Sequence, residues 1–360
     1  MMEIQLRTLT PLWTGGVDGS CDRLHETGLI GSLRWWYEAL VRGLGGEACD
    51  PTKHSCKFDE DKYRKSKADN ERQRLRDAGL CAACQIFGAT GWRRRFRLAV
   101  IKDDTAPSWP PVDRILNIRP PDRSRGWYLP PGRMGTLTVR LDGDTQTLRR
   151  LAAFLLFLEQ WGHLGAKPQL GYGLFSIVNR DAVRARANAW RWEQIGNSNP
   201  NDKLPDLRQF GFFRYRLTPE QPGWWLSAPG MRRIASQIQP LVNQWQIVPL
   251  TPTLKNAWRF HHWKGTPNAA REIFGSLRPE RIRSKVAASW AYRQGEYWEV
   301  RGWAWLHHPH TDTAVWSILN VPTIWETELN VPGALETWPC GDWKPWETLA
   351  IQDFLEVAHD

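Results

Sequence analysis

Apolar and polar positions alternate from Glu3 to Thr10, a period of two that predicts a half-buried strand. A Gly-rich turn follows, Thr14-Gly15-Gly16-Val17-Asp18-Gly19-Ser20. From Leu33 to Arg42 the apolar positions recur at helical spacing, with Ser32 placed to cap the start and Gly43 to stop the helix. Strands are predicted at Arg95 to Lys102 and Thr136 to Leu141, and a second helix at Thr147 to Trp161. The loop Gly162 to Gly173 leads into a last strand, Leu174 to Val178. The order is β-α-β-β-α-β, the ferredoxin-like plan, which leaves one face of a four-stranded antiparallel sheet free of helices.

Two segments interrupt this plan. Residues 45–85 are polar and carry cysteines. Pro107 to Pro131 holds seven prolines and reads as a protruding loop or open hairpin, because proline removes ladder donors. Residues 181–207 are polar and read as a linker with a helical part. The pattern then restarts with a strand at Phe210 to Leu217, a helix around Met231 to Trp245, and a hairpin of Ile282 to Tyr292 with Tyr297 to Leu306 around Gln294-Gly295-Glu296. Helical pieces are expected near 312–320 and 346–358. A short echo ties the halves together. Ile86-Phe87-Gly88-Ala89 runs into a basic strand, and Ile273-Phe274-Gly275-Ser276 does the same before Arg283-Ser284-Lys285-Val286. Two copies of one module are implied, the second degenerate because it has no Gly-rich loop. The fold class is therefore α+β, with two tandem ferredoxin-like domains at 1–180 and 208–360 joined by the 181–207 linker.

Charge sharpens this picture. The 360 residues carry a formal net charge of +10. Residues 91–150 concentrate it, with twelve Arg and one Lys against six Asp and no Glu. Such a balance in a soluble protein points to a polyanionic partner, and the planar guanidinium suits phosphate and stacks on bases. There are 23 Trp against 7 Tyr. Most must be core, leaving a minority as stacking platforms for unpaired bases. The N-terminus has no apolar signal core, and the most apolar helical run, Leu151 to Leu158, is far short of a membrane span. A cytoplasmic protein with neither a membrane nor a small-molecule substrate as partner is expected.

The chemistry-bearing residues follow. Gly165, Gly171 and Gly173 allow close backbone approach to phosphate, with Lys167, Gln169 and Tyr172 beside them. Arg93, Arg94, Arg95 and Arg97 interleave with Trp92 and Phe96, which suits backbone neutralisation with stacking. Arg34 lies near the start of the first helix, where anions bind. Arg119, Arg123 and Arg125 ride on the Pro-rich segment, and Arg281, Arg283 and Lys285 are their second-half counterparts. Each set has an ordinary reading too: a tight turn, a solvated charged face, a surface ion pair. Cys49 and Cys56, with six residues between them, and the Cys81-x-x-Cys84 pair offer four thiolates for a structural zinc, with His54 as a possible substitute ligand. Cys21 and Cys340 read as incidental. His25 and His163 lie near the loops expected to face nucleic acid, whereas His261-His262 and His307-His308 lack a carboxylate or cysteine at metal spacing. No Walker loop or dinucleotide fingerprint follows a strand.

Taken in order, Thr10-Pro11-Leu12-Trp13-Thr14-Gly15-Gly16, Glu26-Thr27-Gly28-Leu29-Ile30-Gly31-Ser32-Leu33-Arg34-Trp35-Trp36-Tyr37, Cys84-Gln85-Ile86-Phe87-Gly88-Ala89-Thr90-Gly91-Trp92 and Gly165-Ala166-Lys167-Pro168-Gln169-Leu170-Gly171-Tyr172-Gly173-Leu174-Phe175 resemble the RAMP superfamily of CRISPR proteins, most nearly the first RAMP subunit of type III-B (Cmr) effector complexes. The pattern spans about residues 8–178 and thins in the second half. The resemblance implies a non-catalytic subunit that holds the 3′ part of the guide RNA, helps engage target RNA, and sits among other subunits of a CRISPR effector complex. Specificity is then delegated to guide–target base pairing while protein reads backbone and shape. RNA contact is expected at Arg34, Arg93, Arg94, Arg97, Arg123, Arg125, Gly165, Lys167, Gln169, Gly171, Tyr172, Gly173, Arg283, Lys285 and His25. Two other readings stay open. One is a metal-independent guide-processing ribonuclease using His25 or His163. The other is an assembly subunit whose basic surface docks protein partners.

Overall fold

The computed structural model describes every residue except 51, 54, 55, 110–113, 189, 202, 308 and 358–360. The first half runs β1 (Met2–Thr8), α1 (Glu26–Gly43), three short helices α2 (Glu60–Lys65), α3 (Glu71–Asp77) and α4 (Ala82–Phe87), then β2 (Phe96–Pro107), a small hairpin of β3 (Leu116–Ile118) and β4 (Trp127–Leu129), β5 (Arg133–Gly143), α5 (Thr145–Trp161), β6 (Phe175–Ile177) and α6 (Arg180–Ala187). Its main sheet has the spatial order β2-β5-β1-β6, every neighbour antiparallel. The second half runs β7 (Phe210–Leu217), α7 (Ala235–Trp245), β8 (Ile247–Val248), α8 (Thr251–Asn256) with a π-helical turn Ala257–His262, α9 (Pro267–Phe274), β9 (Val286–Ala288), β10 (Ala291–Gln294), β11 (Tyr297–Trp305), α10 (Pro309–Leu319), α11 (Pro322–Leu329), β12 (Gly333–Trp338) and α12 (Thr348–Val357). Here the order is β12-β7-β11-β10-β8, with β9 also on β11. In both sheets the strand that opens the half (β1, β7) lies between the strand that closes it (β6, β12) and a long strand (β5, β11). The fold is a mixed one of sheets and helices.

The repeat is visible atom by atom. Gly88 ends α4 at φ 86° and Gly275 ends α9 at φ 85°. After each, a two-residue bridge closes, Ala89 with Trp92 and Ser276 with Ile282. Then Arg95 N–H donates to the Ile86 carbonyl at 3.0 Å, and Lys285 N–H to the Ile273 carbonyl at 2.8 Å. A Cβ at either glycine would press on the backbone that returns beneath it, so only glycine serves.

Helices α1 and α5 lie between the two sheets. Met2, Ile4 and Leu6 of β1 cover one side, and Phe210 and Phe212 of β7 with Trp303 of β11 cover the other, all in one core. Trp36 of α1 meets Phe157 of α5, Phe210 and Trp303 at ring separations of 6.0, 5.6 and 5.7 Å. This explains why α5 has no polar face from Leu151 to Glu159: a helix flanked by sheets on both sides is apolar all round. The opposite face of β7 packs Phe213 and Tyr215 against Trp258 and Trp325. The layers are therefore sheet, helices, sheet, helices, and α1 and α5, together with α12, cover the face of the second sheet that carries Phe210 and Phe212.

Two expectations change. Helix α1 starts at Glu26, nearly two turns before Ser32; Gly28 sits inside it because a Cβ there would lie 2.8 Å from Thr14 Cβ. Ser32 is not a cap but donates its hydroxyl to the Leu29 carbonyl and accepts the Gly165 amide. The Pro-rich segment does not protrude: Leu116, Ile118 and Leu129 are buried in the core of the second half. The first sheet keeps its helix-free face, where Glu3, Gln5 and Arg7 alternate away from the core beside Thr136, Thr138, Arg140 and Arg97. That face carries mixed charge, with Arg140 paired to Asp142, and no aromatic ring among these positions, so it lacks the stacking platform an RNA-recognition sheet uses. Among the described residues no helix is long and apolar enough to cross a membrane.

Candidate nucleic-acid interface and cysteine centre

The Gly-rich loop was expected to turn free amides toward phosphate. Four of its amides, those of all three glycines among them, are occupied instead. Gly165 N–H donates to Ser32 Oγ, Ala166 to the Trp13 carbonyl, Gly171 to the Pro168 carbonyl and Gly173 to the Pro11 carbonyl, all at 2.8–2.9 Å. The glycines serve packing. Gly171 has φ 92°, and a Cβ there would lie 2.2 Å from Thr251 Oγ1 and 2.3 Å from Trp290 Cδ1. Trp290 Nε1 donates to the Leu170 carbonyl at 2.8 Å, so the loop is wedged against the second half. Gln169 takes part through its carbonyl, which accepts from Lys255 Nζ at 3.3 Å. That ammonium also donates to Ser284 Oγ and the Val286 carbonyl, and complete burial pushes its pKa down to about 7. Tyr172 is buried with its hydroxyl donating to the Pro130 carbonyl, so it offers no stacking face. Lys167 remains: half-buried at φ 65°, its Nζ 4.0 Å from the Trp13 ring centre, its pKa lowered by burial and by the nearby charge of Arg281.

The arginines divide. Arg93 and Arg97 are exposed, as are Arg125 and Arg283. Arg93 and Arg283 occupy matching places after the Gly88 and Gly275 turns. Arg94 is half-buried over the Phe96 ring and donates to the Phe96 carbonyl at 2.7 Å, while Arg95 pairs with Glu71 at 2.8 Å. Lys285 is half-buried, 2.9 Å from His307 Nε2 and 3.9 Å from Glu272. Arg34 is not at a helix start, because α1 begins earlier; it contacts Glu38, the Gly88 carbonyl and Cys84. His25 is the residue before α1, with its ring 2.8 Å from Asp22. His163 is buried, its Nδ1 accepting from Trp36 Nε1 at 3.2 Å, and burial drives its pKa down to about 3. It is a neutral imidazole within the core.

Arg123 lies over the Phe260 ring, a partner that the sequence reading missed together with Arg259 and Arg271. The signal was present: Lys255-Asn256-Ala257-Trp258-Arg259-Phe260-His261-His262-Trp263-Lys264 interleaves cations and rings as Trp92 to Arg97 does. His261 and His262 do have acidic partners, Asp122 and Glu328, brought from distant segments. His54 and His308 lie outside the described residues.

Cys49, Cys56, Cys81 and Cys84 come together with all sulfurs within 4.8 Å of one another. Cys81 caps α4 and accepts the Cys84 amide at 3.5 Å, as it does the Cys49 amide, and Cys56 Sγ accepts the Cys81 amide at 3.4 Å. Hydrogen bonds from the Cys49 and Cys84 thiols, then from those amides, hold the Cys81 thiol well below its ordinary pKa. A zinc ion with bonds of about 2.3 Å to four sulfurs sets them roughly 3.8 Å apart, so a closed all-sulfur site fits this cluster. Cys21 and Cys340 lie outside it.

Residues 5–176 match the sequence model of the RAMP superfamily. No curated protein sequence matches the chain. Among solved structures, Cmr1 from Pyrococcus furiosus in its apo form is similar with a TM-score of 0.43 and 14% identity, over 96% of this chain and 100% of that one. A chain of the type III-B Cmr-beta complex bound to cognate target RNA and AMPPnP gives 0.37 and 12%, over 99% and 98%. A chain of a type IV-B CRISPR complex gives 0.31 and 18%, over 55% and 94%.

Proposed function

Through residues 5–176 this chain belongs to the RAMP superfamily, and on that premise we propose that it is a non-catalytic RNA-binding subunit of a type III-B CRISPR effector complex. In this role it holds the 3′ part of a guide RNA and helps engage target RNA beside other subunits. The common strand order of the two sheets supports reading both halves as ferredoxin-like domains in tandem. The observation that carries RNA binding is the pair Arg93 and Arg283. They are exposed at matching turns of the two halves, and neither has a carboxylate within ion-pair reach among the described residues. Arg97, and Lys167 beside Arg281, extend the unneutralised charge. Such cations bind phosphate by displacing counterions. The burial of His163 supports the absence of a catalytic histidine there. The four cysteines hold a structural zinc that fastens residues 45–85 to α1.

The test is labelled single-stranded RNA with the purified chain at two salt concentrations, run on native and denaturing gels. A salt-sensitive shift with intact RNA is expected, weakened in the Arg93→Ala, Arg97→Ala, Lys167→Ala variant. An unchanged affinity in that variant removes the site assignment, and discrete cleavage products remove the non-catalytic reading.

A further inference from the structure

At the seam of the two halves, the Pro-rich segment of the first meets the π-helical turn of the second. Arg123 stands over the Phe260 ring with its guanidinium carbon 3.6 Å from the ring centre, and the Arg259 guanidinium carbon lies 5.0 Å from the same centre. Phe260 is 41% exposed, large for an aromatic ring at a domain junction. Arg271, from α9, adds a third guanidinium close enough for its charge and that of Arg123 to act on Arg259. None of the three has a carboxylate within ion-pair distance among the described residues. The acids at hand are engaged elsewhere: Asp122 by His261 and Asn256, Glu328 by His262 and His261. Arg259 is held in place by donating to the Gly275 carbonyl, and Arg271 by Asn268 Oδ1.

Three guanidiniums gathered without a counter-charge repel one another unless an anion joins them. A partly exposed ring layered with guanidinium adds a flat surface that an acidic polypeptide has no use for and a nucleobase does. We propose that Arg123, Arg259, Phe260 and Arg271 form a binding site for an unpaired nucleotide of single-stranded RNA, the base stacking on the Arg123–Phe260 layer and the adjoining phosphate lying at Arg259 and Arg271. The site rests on the RNA-binding reading above and locates it at the junction, so the RNA path crosses from one half to the other. Lys255 links this site to the Gly-rich loop, since it is bonded to Gln169 and precedes the π-helical turn.

The test uses the full chain and a fluorescent, unstructured single-stranded RNA followed by anisotropy over a salt series. Arg259→Gln with Arg271→Gln should weaken binding at least tenfold and lower the slope of log affinity against log salt by about 1.4, roughly 0.7 for each lost phosphate contact. Phe260→Ala should weaken binding about fivefold or more with the slope unchanged, and Phe260→Trp should restore it. In the unsubstituted protein, RNA carrying 5-iodouridine should photo-crosslink to the 255–264 segment. If these variants bind as the parent does while Arg93→Ala with Lys167→Ala still weakens binding, the seam site is wrong and the RNA-binding reading stands. If the parent binds no RNA, both fall.

Discussion

The Arg34 guanidinium lies 3.2 Å from Cys84 Sγ while its Nε donates to Glu38 at 2.8 Å. An ion of charge +2 with four thiolates leaves a net charge of −2, and Arg34 is a cation facing it, as is Arg42, which donates to the Cys49 carbonyl. Groups behind the ligands of a metal typically tune affinity 10- to 100-fold. Arg34→Ala should therefore weaken zinc retention by about that factor in a chelator competition, with all four cysteines intact, and Arg34→Lys should restore part of it. Equal retention in the alanine variant would show that the charge of Arg34 does nothing for the metal.

The purified chain should contain about one equivalent of zinc. Cys81→Ser with Cys84→Ser should abolish it and open residues 45–85 to limited proteolysis, because this polar segment has only a small apolar cluster of its own around Leu75 and Leu80. A metal-free parent with the same proteolytic pattern as the variant would count against the site.

His163 makes stability acid-sensitive. An unfolded histidine takes up a proton below about pH 6.5, whereas the buried ring does so only near pH 3. Between these values the unfolded state binds more protons, so stability is complete above about 6.5 and is lost as pH falls toward 3. The loss at pH 5 should be about 2 kcal/mol in urea unfolding. His163→Gln, which keeps an acceptor for Trp36 Nε1, should flatten that acid limb; an unaltered limb would mean that other groups set it.

Two glycine substitutions should act in opposite directions. Gly171→Ala meets a positive φ and the Thr251 and Trp290 side chains, and should destabilise by about 2–4 kcal/mol. Gly31→Ala lies on the exposed side of α1 with nothing within 4 Å of the added Cβ, and should stabilise by roughly 0.5–1 kcal/mol. Thermal unfolding of both variants checks the pair.

Much of the fold was legible because its signals are local. The strand expected at Phe210 to Leu217 is β7 residue for residue, and the helix expected from Thr147 is α5 with two residues added. The Gly88 and Gly275 echo was short in sequence yet marks the same turn. The start of α1 was hidden because Gly28 and Gly31 look like turn residues, although Gly28 answers a close approach by Thr14. The site was less legible, since what a cation does depends on residues far along the chain. Nothing near Arg34 in sequence announces Cys49 or Cys84, and nothing near Arg95 announces Glu71. Tyr172 was expected to contact RNA because the loop's glycines suggested openness, whereas Gly171 admits Thr251 and Trp290. The Pro-rich segment read as a protrusion because composition reports a lack of ladder bonds, not the apolar residues beneath.

The placement of α1 and α5 between two sheets has a consequence for biosynthesis. The ribosome releases the first half before β7 and β11 exist, so the outer sides of Trp35, Trp36 and Phe157 stay bare until Phe210, Phe212 and Trp303 are translated. For that interval the nascent chain is a natural client for chaperones, and any stop codon or cleavage between the halves yields a fragment with a sticky inner layer instead of a working domain.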